Sequence, residues 1–205
     1  MQNNAALLVI DVQNDFCPGG ALPVAGGDAI VPLINRIASK FETVVITQDW
    51  HPSGHASFAA SHPGKQPFDT VTMPYGPQVL WPIHCVMATE GAALHPDLAI
   101  PHASQILRKG LHPEVDSYSA FMEADRTTKT GLDGYFVSRG ITKIYLCGLA
   151  LDYCVAWSAE DARHFGFKTS IIEDACRAID LNDSLRLAWE RLAAAGVTRT
   201  RGEDL

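Results

Sequence analysis

The sequence predicts an α/β fold, a mostly parallel sheet with helices on its faces. Three observations carry that expectation. Short apolar runs at 5–12, 43–47 and 144–150 are of the continuous kind that suits strands buried on both faces. Segments with helical spacing separate the strands, which makes βαβ units. Polar residues then fall at strand ends: Asp11 after the first, Asp49 and His51 after the second, Lys109 after the third, Cys154 after the fourth. In parallel α/β sheets ligands bind beyond the carboxyl ends of the strands, so all of these can converge on one rim.

The elements follow in order. The run Ala5 to Val12 is apolar except for Asp11. A Gly- and Pro-containing stretch follows, then a helix over 27–40 with apolar positions at 30, 31, 33, 34 and 37. Pro32 falls in its first turn, where a missing N–H costs little. The second strand, 43–47, leads into Asp49-Trp-His51. From there to about His102 the pattern dissolves, with eight prolines and most of the histidines. So long an irregular stretch is usually functional or disordered. Trp50, Trp81, Phe58, Phe68 and Tyr75 favour order, so the excursion at about 49–103 is expected to build a site.

Regularity returns with a third strand, Gln105 to Arg108, and a helix at 132–139 follows a second loop. The fourth strand, Ile144 to Ala150, runs almost without a loop into a helix from Asp152, with apolar residues at 155, 156 and 159 and charge at 160, 161 and 163. Gly148 eases the turn, and Cys154 falls in the helix's first turn. Unpaired N–H groups and the helix dipole favour negative charge there, and a thiol so placed tends towards a thiolate. A fifth strand is expected at 168–174. A last helix at 183–195 is capped by Asn182 or Asp183, and a short sixth strand covers 197–200.

Composition narrows the function. A chain of 205 residues suits one domain spanning 1–205. With 47% hydrophobic and 19% charged residues it is expected to fold as a soluble protein. A formal charge of −7 argues against nucleic acid or an anionic membrane as the partner. No apolar run reaches transmembrane length, and Asp11 interrupts the first one too early for a signal peptide. Five cysteines without a CxxC pair suit a reducing compartment, so the expected location is cytoplasmic.

Each candidate has an ordinary reading beside the chemical one. Asp11 in an apolar strand caps a turn, pairs with Lys109, or carries protons; Lys109 alone is a surface lysine; Cys154 alone is a small buried hydrophobe. Together, acid, lysine and cysteine at three strand ends make a proton carrier, a cation and a nucleophile. Asp49-x-His51 in extended chain puts both side chains on one side, and carboxylate with imidazole is a plausible ligand pair for a first-row metal. His55, His62, His84 and His95 are candidate third ligands, and spacing does not choose among them. A site in which the metal activates water and Cys154 is inert is the rival mechanism.

Asp11-Val-Gln-Asn-Asp-Phe16, Asp49-Trp-His51-Pro, Trp81-Pro-Ile-His-Cys85, Lys109-Gly and Gly148-Leu-Ala-Leu-Asp-Tyr-Cys154-Val together resemble the nicotinamidase/pyrazinamidase family of the isochorismatase-like cysteine hydrolases. The resemblance is colinear over essentially the whole chain. The acid, lysine and cysteine belong to the superfamily; Asp-x-His followed by Trp-Pro-x-His-Cys points to nicotinamidases within it. The resemblance implies a three-layer αβα sandwich around a parallel six-stranded sheet and deamidation of nicotinamide, with a place in NAD salvage. It implies a triad of Asp11, Lys109 and Cys154, and an oxyanion hole from the backbone of Ala150 and Cys154 with a cis Leu149–Ala150 bond. The implied metal ligands are Asp49, His51 and His84, with waters completing the shell of one divalent ion, Zn²⁺ before Fe²⁺ or Mn²⁺. That ion would anchor the pyridine nitrogen instead of activating water. Phe16 and Trp81 match positions that sandwich the ring, and Tyr118 matches a pocket wall. His55 departs from members that bring a further histidine to the metal after a longer gap, and is left out of the ligand set. The rivals are an amidohydrolase for carbamoyl or ureido substrates, and a non-enzymatic metal-binding member. Isochorismatases proper lack the cysteine.

Overall fold

In the computed structural model, which describes residues 4–205, six strands form one parallel sheet. They are β1 (Ala5–Ile10), β2 (Thr43–Asp49), β5 (Gln105–Lys109), β6 (Lys143–Gly148), β7 (Lys168–Cys176) and β8 (Thr198–Thr200). Two further strands, β3 (Thr70–Met73) and β4 (Gly76–Val79), make a separate antiparallel hairpin. The main sheet runs β5-β2-β1-β6-β7-β8, and every pairing in it is parallel. It is flanked by α1 (Val31–Ala38), α2 (Leu132–Ser138), α3 (Ala156–His164) and α4 (Ser184–Ala194), the three-layer arrangement expected.

Periodicity and burial agree. All six residues of β1 are buried, as a central strand between two helical layers requires. Helix α1 buries Val31, Ile34, Ile37 and Ala38, one face at helical spacing. Burial of such side chains stabilises by about 1.5–3 kcal/mol each for the larger aliphatics.

Strand order reverses between β1 and β6, whose last residues Ile10 and Gly148 are paired. That is the crevice where ligands bind in such sheets. Gly148 makes the close approach possible: its φ is +118° and a Cβ there would lie 2.1 Å from the Ile10 carbonyl oxygen. The next peptide bond, Leu149–Ala150, is cis, as the resemblance implied.

The structure differs from expectation at four places. The helix at 27–40 begins as a 3₁₀ turn, Asp28–Ile30, and α1 starts at Val31. The hairpin β3–β4 lies inside the irregular excursion; its polar, half-exposed residues and Pro74 and Pro77 hide it. Cys154 sits in a π-helical turn, Leu151–Val155, ahead of α3, its ring closed by the Val155 N–H donating to Ala150 O at 3.1 Å. Neither Asn182 nor Asp183 caps α4 with its side chain, because both adopt left-handed backbone. Asp180 instead accepts from the Leu185 N–H at 3.3 Å, and Asp152 accepts from Ser184 Oγ at 2.5 Å. Asp152 thereby ties the Cys154 turn to the start of α4.

Candidate active site

Four strand ends meet at the crevice. Lys109 Nζ, at the end of β5, lies 2.9 Å from Asp11 Oδ2 and 2.8 Å from Asp49 Oδ1. It also donates to Ser117 O at 2.9 Å and to Cys154 Sγ at 3.5 Å. Lys109 is 1% exposed and Asp11 0%, and charges this deep persist only when paired. Thr47 sets the orientation of Asp11. Its hydroxyl accepts the Asp11 N–H at 3.1 Å and donates to Asp11 Oδ1 at 2.6 Å. Asp11 Oδ2 is thus left beside the ammonium as an ion pair without an aligned hydrogen bond, free to take a proton.

The electrostatics follow from burial and charge count. Burial pushes the Asp11 carboxyl above the usual carboxylate range, with Lys109 pulling the other way. Burial would lower Lys109, but Asp11 and Asp49 more than offset it and hold the ammonium charged. For Cys154 burial comes first, Lys109 opposes it, and Asp11 and Asp49 add to it, so the thiol lies well above its ordinary range. Burial first, and then the two carboxylates, thus work against the thiolate that a helix start favours.

Asp49 faces a second way. Its Oδ2 lies 3.2 Å from His51 Nε2 and 3.6 Å from His84 Nε2, and ligand atoms of the three residues lie within 4.8 Å of one another. His51 Nδ1 is 3.1 Å from Gly110 O and His84 Nδ1 is 2.8 Å from Pro82 O. Carbonyls only accept, so each Nδ1 carries a proton and each Nε2 is the ring atom that faces the carboxylate. One carboxylate and two imidazole nitrogens brought together form a donor set that fits a divalent metal ion. Burial would raise the Asp49 carboxyl, but His51 and Lys109 overcome it and hold it well below the usual range. Gly110 leaves room for His51, since a Cβ there would meet His51 Cε1 at 2.5 Å.

The other histidines are committed within the protein. His55 Nδ1 meets Ser57 Oγ at 2.8 Å, and its Nε2 meets the carbonyls of His112 and Val115 at 3.0 and 3.2 Å. Its ring stacks 4.2 Å from that of His51, and burial followed by the His51 charge pushes its pKa down to about 4. His62 Nε2 donates to Ala56 O at 2.8 Å, and His95 Nδ1 accepts the Asp97 N–H at 3.2 Å.

Between the thiol and the Asp49 group runs a cleft lined by Phe16, Trp81 and Tyr118, together with His84, Ala150 and Cys154. The Ala150 N–H has no acceptor among the described residues and sits at the thiol's end. Asp11, Lys109 and Cys154, the set Asp49, His51 and His84, and Phe16, Trp81 and Tyr118 thus meet in one place, whereas His55, His62 and His95 do not join the Asp49 group. Sequence reasoning missed several others. Leu22, Asp116, Tyr153 and Ile179 also line the cleft. Gln13 brackets Asp49, donating to its carbonyl and accepting its N–H, both at 2.8 Å. Tyr153 had a signal in its place beside Cys154; Thr47 and Gln13 act through cross-strand contacts that no local spacing encodes.

Fold and site together define a class of hydrolase, and the isochorismatase domain model matches residues 5–204. A curated nicotinamidase of Acinetobacter baylyi is 58% identical over 99% of this chain and 95% of its own length. The solved nicotinamidase–pyrazinamidase of Acinetobacter baumannii is 59% identical, with a TM-score of 0.98 over 99% of this chain and 98% of that one. A Pyrococcus horikoshii pyrazinamidase solved in complex with zinc is 34% identical, with a TM-score of 0.79 over 97% and 99%. The chain belongs to the nicotinamidase family of the isochorismatase-like superfamily, and it is a hydrolase acting on amide bonds.

Proposed function

We propose that the protein hydrolyses nicotinamide to nicotinate and ammonia, and pyrazinamide likewise, through a thioester on Cys154. The observation that carries this reading is the contact of one buried lysine with Asp11, Asp49 and the Cys154 thiol at one end of an aromatic cleft. The cleft has little free room, about 20 Å³, the space of a single water. The five cysteines are all free thiols, in keeping with a reducing cytoplasm.

The chain's own groups account for the chemistry. Asp11 Oδ2 takes the thiol proton as Cys154 Sγ bonds to the carboxamide carbon. The raised pKa of Asp11 makes it a stronger base, and this transfer removes the need for a resting thiolate. The oxyanion is held by the N–H groups of Ala150 and Cys154, each such donor contributing about 3 kcal/mol. Lys109 keeps Asp11 in place and stabilises the sulfur's negative charge as the proton leaves. Asp11 returns the proton to the departing nitrogen as the C–N bond breaks, and ammonia leaves. It then deprotonates water for attack on the thioester, and collapse expels the sulfur, which regains its proton. Phe16, Trp81 and Tyr118 flank the ring, and fixing it orients the carbonyl over the sulfur. A divalent ion held by Asp49, His51 and His84, when bound, supplies a Lewis-acid contact for the ring nitrogen; Zn²⁺ suits this donor set first, with Fe²⁺ and Mn²⁺ as alternatives.

The test is ammonia release from a panel of amides by wild type and Cys154→Ala, with and without chelator. Nicotinamide and pyrazinamide should be turned over, and the variant should be inactive with its metal content intact. Undiminished turnover by Cys154→Ala would sink the covalent route and favour metal-activated water. Turnover only of carbamoyl or ureido compounds would move the chain to the related amidohydrolases.

A further inference from the structure

The loop after β1 holds an acid that the proposed chemistry does not use. Asp15 stands between Asn14 and Phe16; Phe16 lines the cleft, whereas Asp15 borders a separate hollow with Asn14 and Glu90. Its carboxylate is committed to backbone N–H groups from two loops. Oδ1 accepts the Ala21 N–H at 3.1 Å, and Oδ2 accepts the Cys85 N–H at 2.7 Å. Hydrogen bonds to a carboxylate are roughly twice as strong as those between neutral groups. The Asp15 backbone is fixed as well, its N–H donating to Gly91 O and its carbonyl accepting the Leu22 N–H, both at 3.0 Å.

The Cys85 N–H belongs to the peptide bond that follows His84, so Asp15 fixes the peptide plane next to a residue of the metal-binding group. Cys85 has a φ of +45°, a left-handed backbone that a residue other than glycine keeps only where its surroundings impose it. From the other side, the Cys85 carbonyl accepts the His51 N–H at 2.9 Å. The His84 ring is held through Nδ1 by Pro82 O and lies 5.5 Å from the Phe16 ring. Gly91 leaves room for the carboxylate, since a Cβ there would lie 2.2 Å from Asp15 Oδ2. The Gly91 backbone is not left-handed, so that contact alone disfavours alanine.

We propose that Asp15 is a positioning residue for the metal ligands: by holding the His84–Cys85 peptide it aims His84 Nε2 at the ion shared with Asp49 and His51. Gln13, in the same loop, brackets Asp49. The loop after β1 thus sets His84 and Asp49 without contributing a ligand of its own. The inference rests on the reading of Asp49, His51 and His84 as the ligand set, and it is independent of the chemistry at Cys154.

The test reads metal affinity without turnover: the zinc-loaded full chain is titrated with a chromophoric chelator. Asp15→Asn keeps the size of the side chain but leaves one acceptor oxygen for two N–H donors. It should weaken zinc binding by at least about tenfold. Gly91→Ala, which displaces the carboxylate without removing it, should weaken zinc binding likewise. In a His84→Ala background either substitution should change zinc affinity by less than about twofold, because residues that act through one ligand are not additive. Thermal unfolding of the metal-free proteins verifies that each variant is folded, and Gly91→Ala carries the test should Asp15→Asn not fold. Zinc affinity within about twofold of wild type in either single variant, or an equal loss with and without His84, would overturn the proposal. The second of these is the result a general loosening of the fold would give. Equal zinc binding by wild type and His84→Ala would remove the ligand reading itself, and the inference with it.

Discussion

Asp11, Lys109, Asp49 and Cys154 stand on or just beyond the ends of β1, β5, β2 and β6, whereas His84, Trp81 and Tyr118 hang from loops around a small hairpin. The first group is placed by the sheet itself. Parallel register fixes where each strand stops, so Asp49 and Lys109 are paired residues of β2 and β5. The second group is placed by contacts among loops: His84 by the Pro82 carbonyl, Trp81 by main-chain bonds to Ser57 and Ala59, Tyr118 by Trp81 and Gln78. Chemistry that needs fixed distances between charges sits on the ladder. In the proposed reaction, recognition of a ring, which needs a fitted shape, falls to the loops. Lys109 joins the halves, because it contacts Asp11 and Asp49 at the strand ends and donates to the Ser117 carbonyl in the loop that carries Tyr118.

Removing that joint should have the largest effect. Lys109→Met leaves two buried carboxylates facing each other without their cation. Unfolding studies should find the variant destabilised by roughly 3–5 kcal/mol, and turnover should fall by about 10²–10⁴-fold. A stable, active Lys109→Met protein would show that the two halves are independent. His84→Ala touches only the loop-built half. Metal content by elemental analysis should drop at least about 100-fold, and KM should rise far more than the unfolding free energy changes. A variant that lost its fold instead would place His84 in the structural frame.

The buttress behind the Asp49 group gives a pH test. The folded-state pKa of His55 is about 4, below its unfolded value of about 6.5, so the unfolded chain takes up the proton first. Stability from this group is complete above pH about 6.5 and is lost as pH falls towards 4, by at most about 1.4 kcal/mol per pH unit. His55→Asn should flatten that part of the stability–pH curve; an unchanged slope would refute the assignment. The smallest effect is expected at Thr47. Thr47→Val removes both hydrogen bonds between the hydroxyl and Asp11, about 1 kcal/mol each, and should lower kcat by roughly tenfold with KM unchanged, while Thr47→Ser restores it.

The same division explains what could be read from the chain. The sheet-built residues were legible because they fall together at strand ends: Asp11 breaks an apolar run, and Asp49, Lys109 and Cys154 gain their weight from that shared position. The loop-built ones were not. Four histidines competed for the third ligand position, and only resemblance to a family singled out His84. Thr47 looks like any β-branched strand residue until register sets its hydroxyl against Asp11. At Cys154 the helix start that favours a thiolate is visible locally, while the burial and the carboxylates that work against it arise only when the strands pack together.

The central claim is that Cys154 carries the acyl group. Wild-type protein mixed with nicotinamide, quenched in acid within one turnover and digested, should yield the Cys154 peptide bearing a nicotinoyl thioester by mass spectrometry, with hydroxylamine releasing it. Rapid ammonia formation in the same samples with that peptide unmodified, under conditions where hydrolysis of a thioester is rate-limiting, would contradict the account.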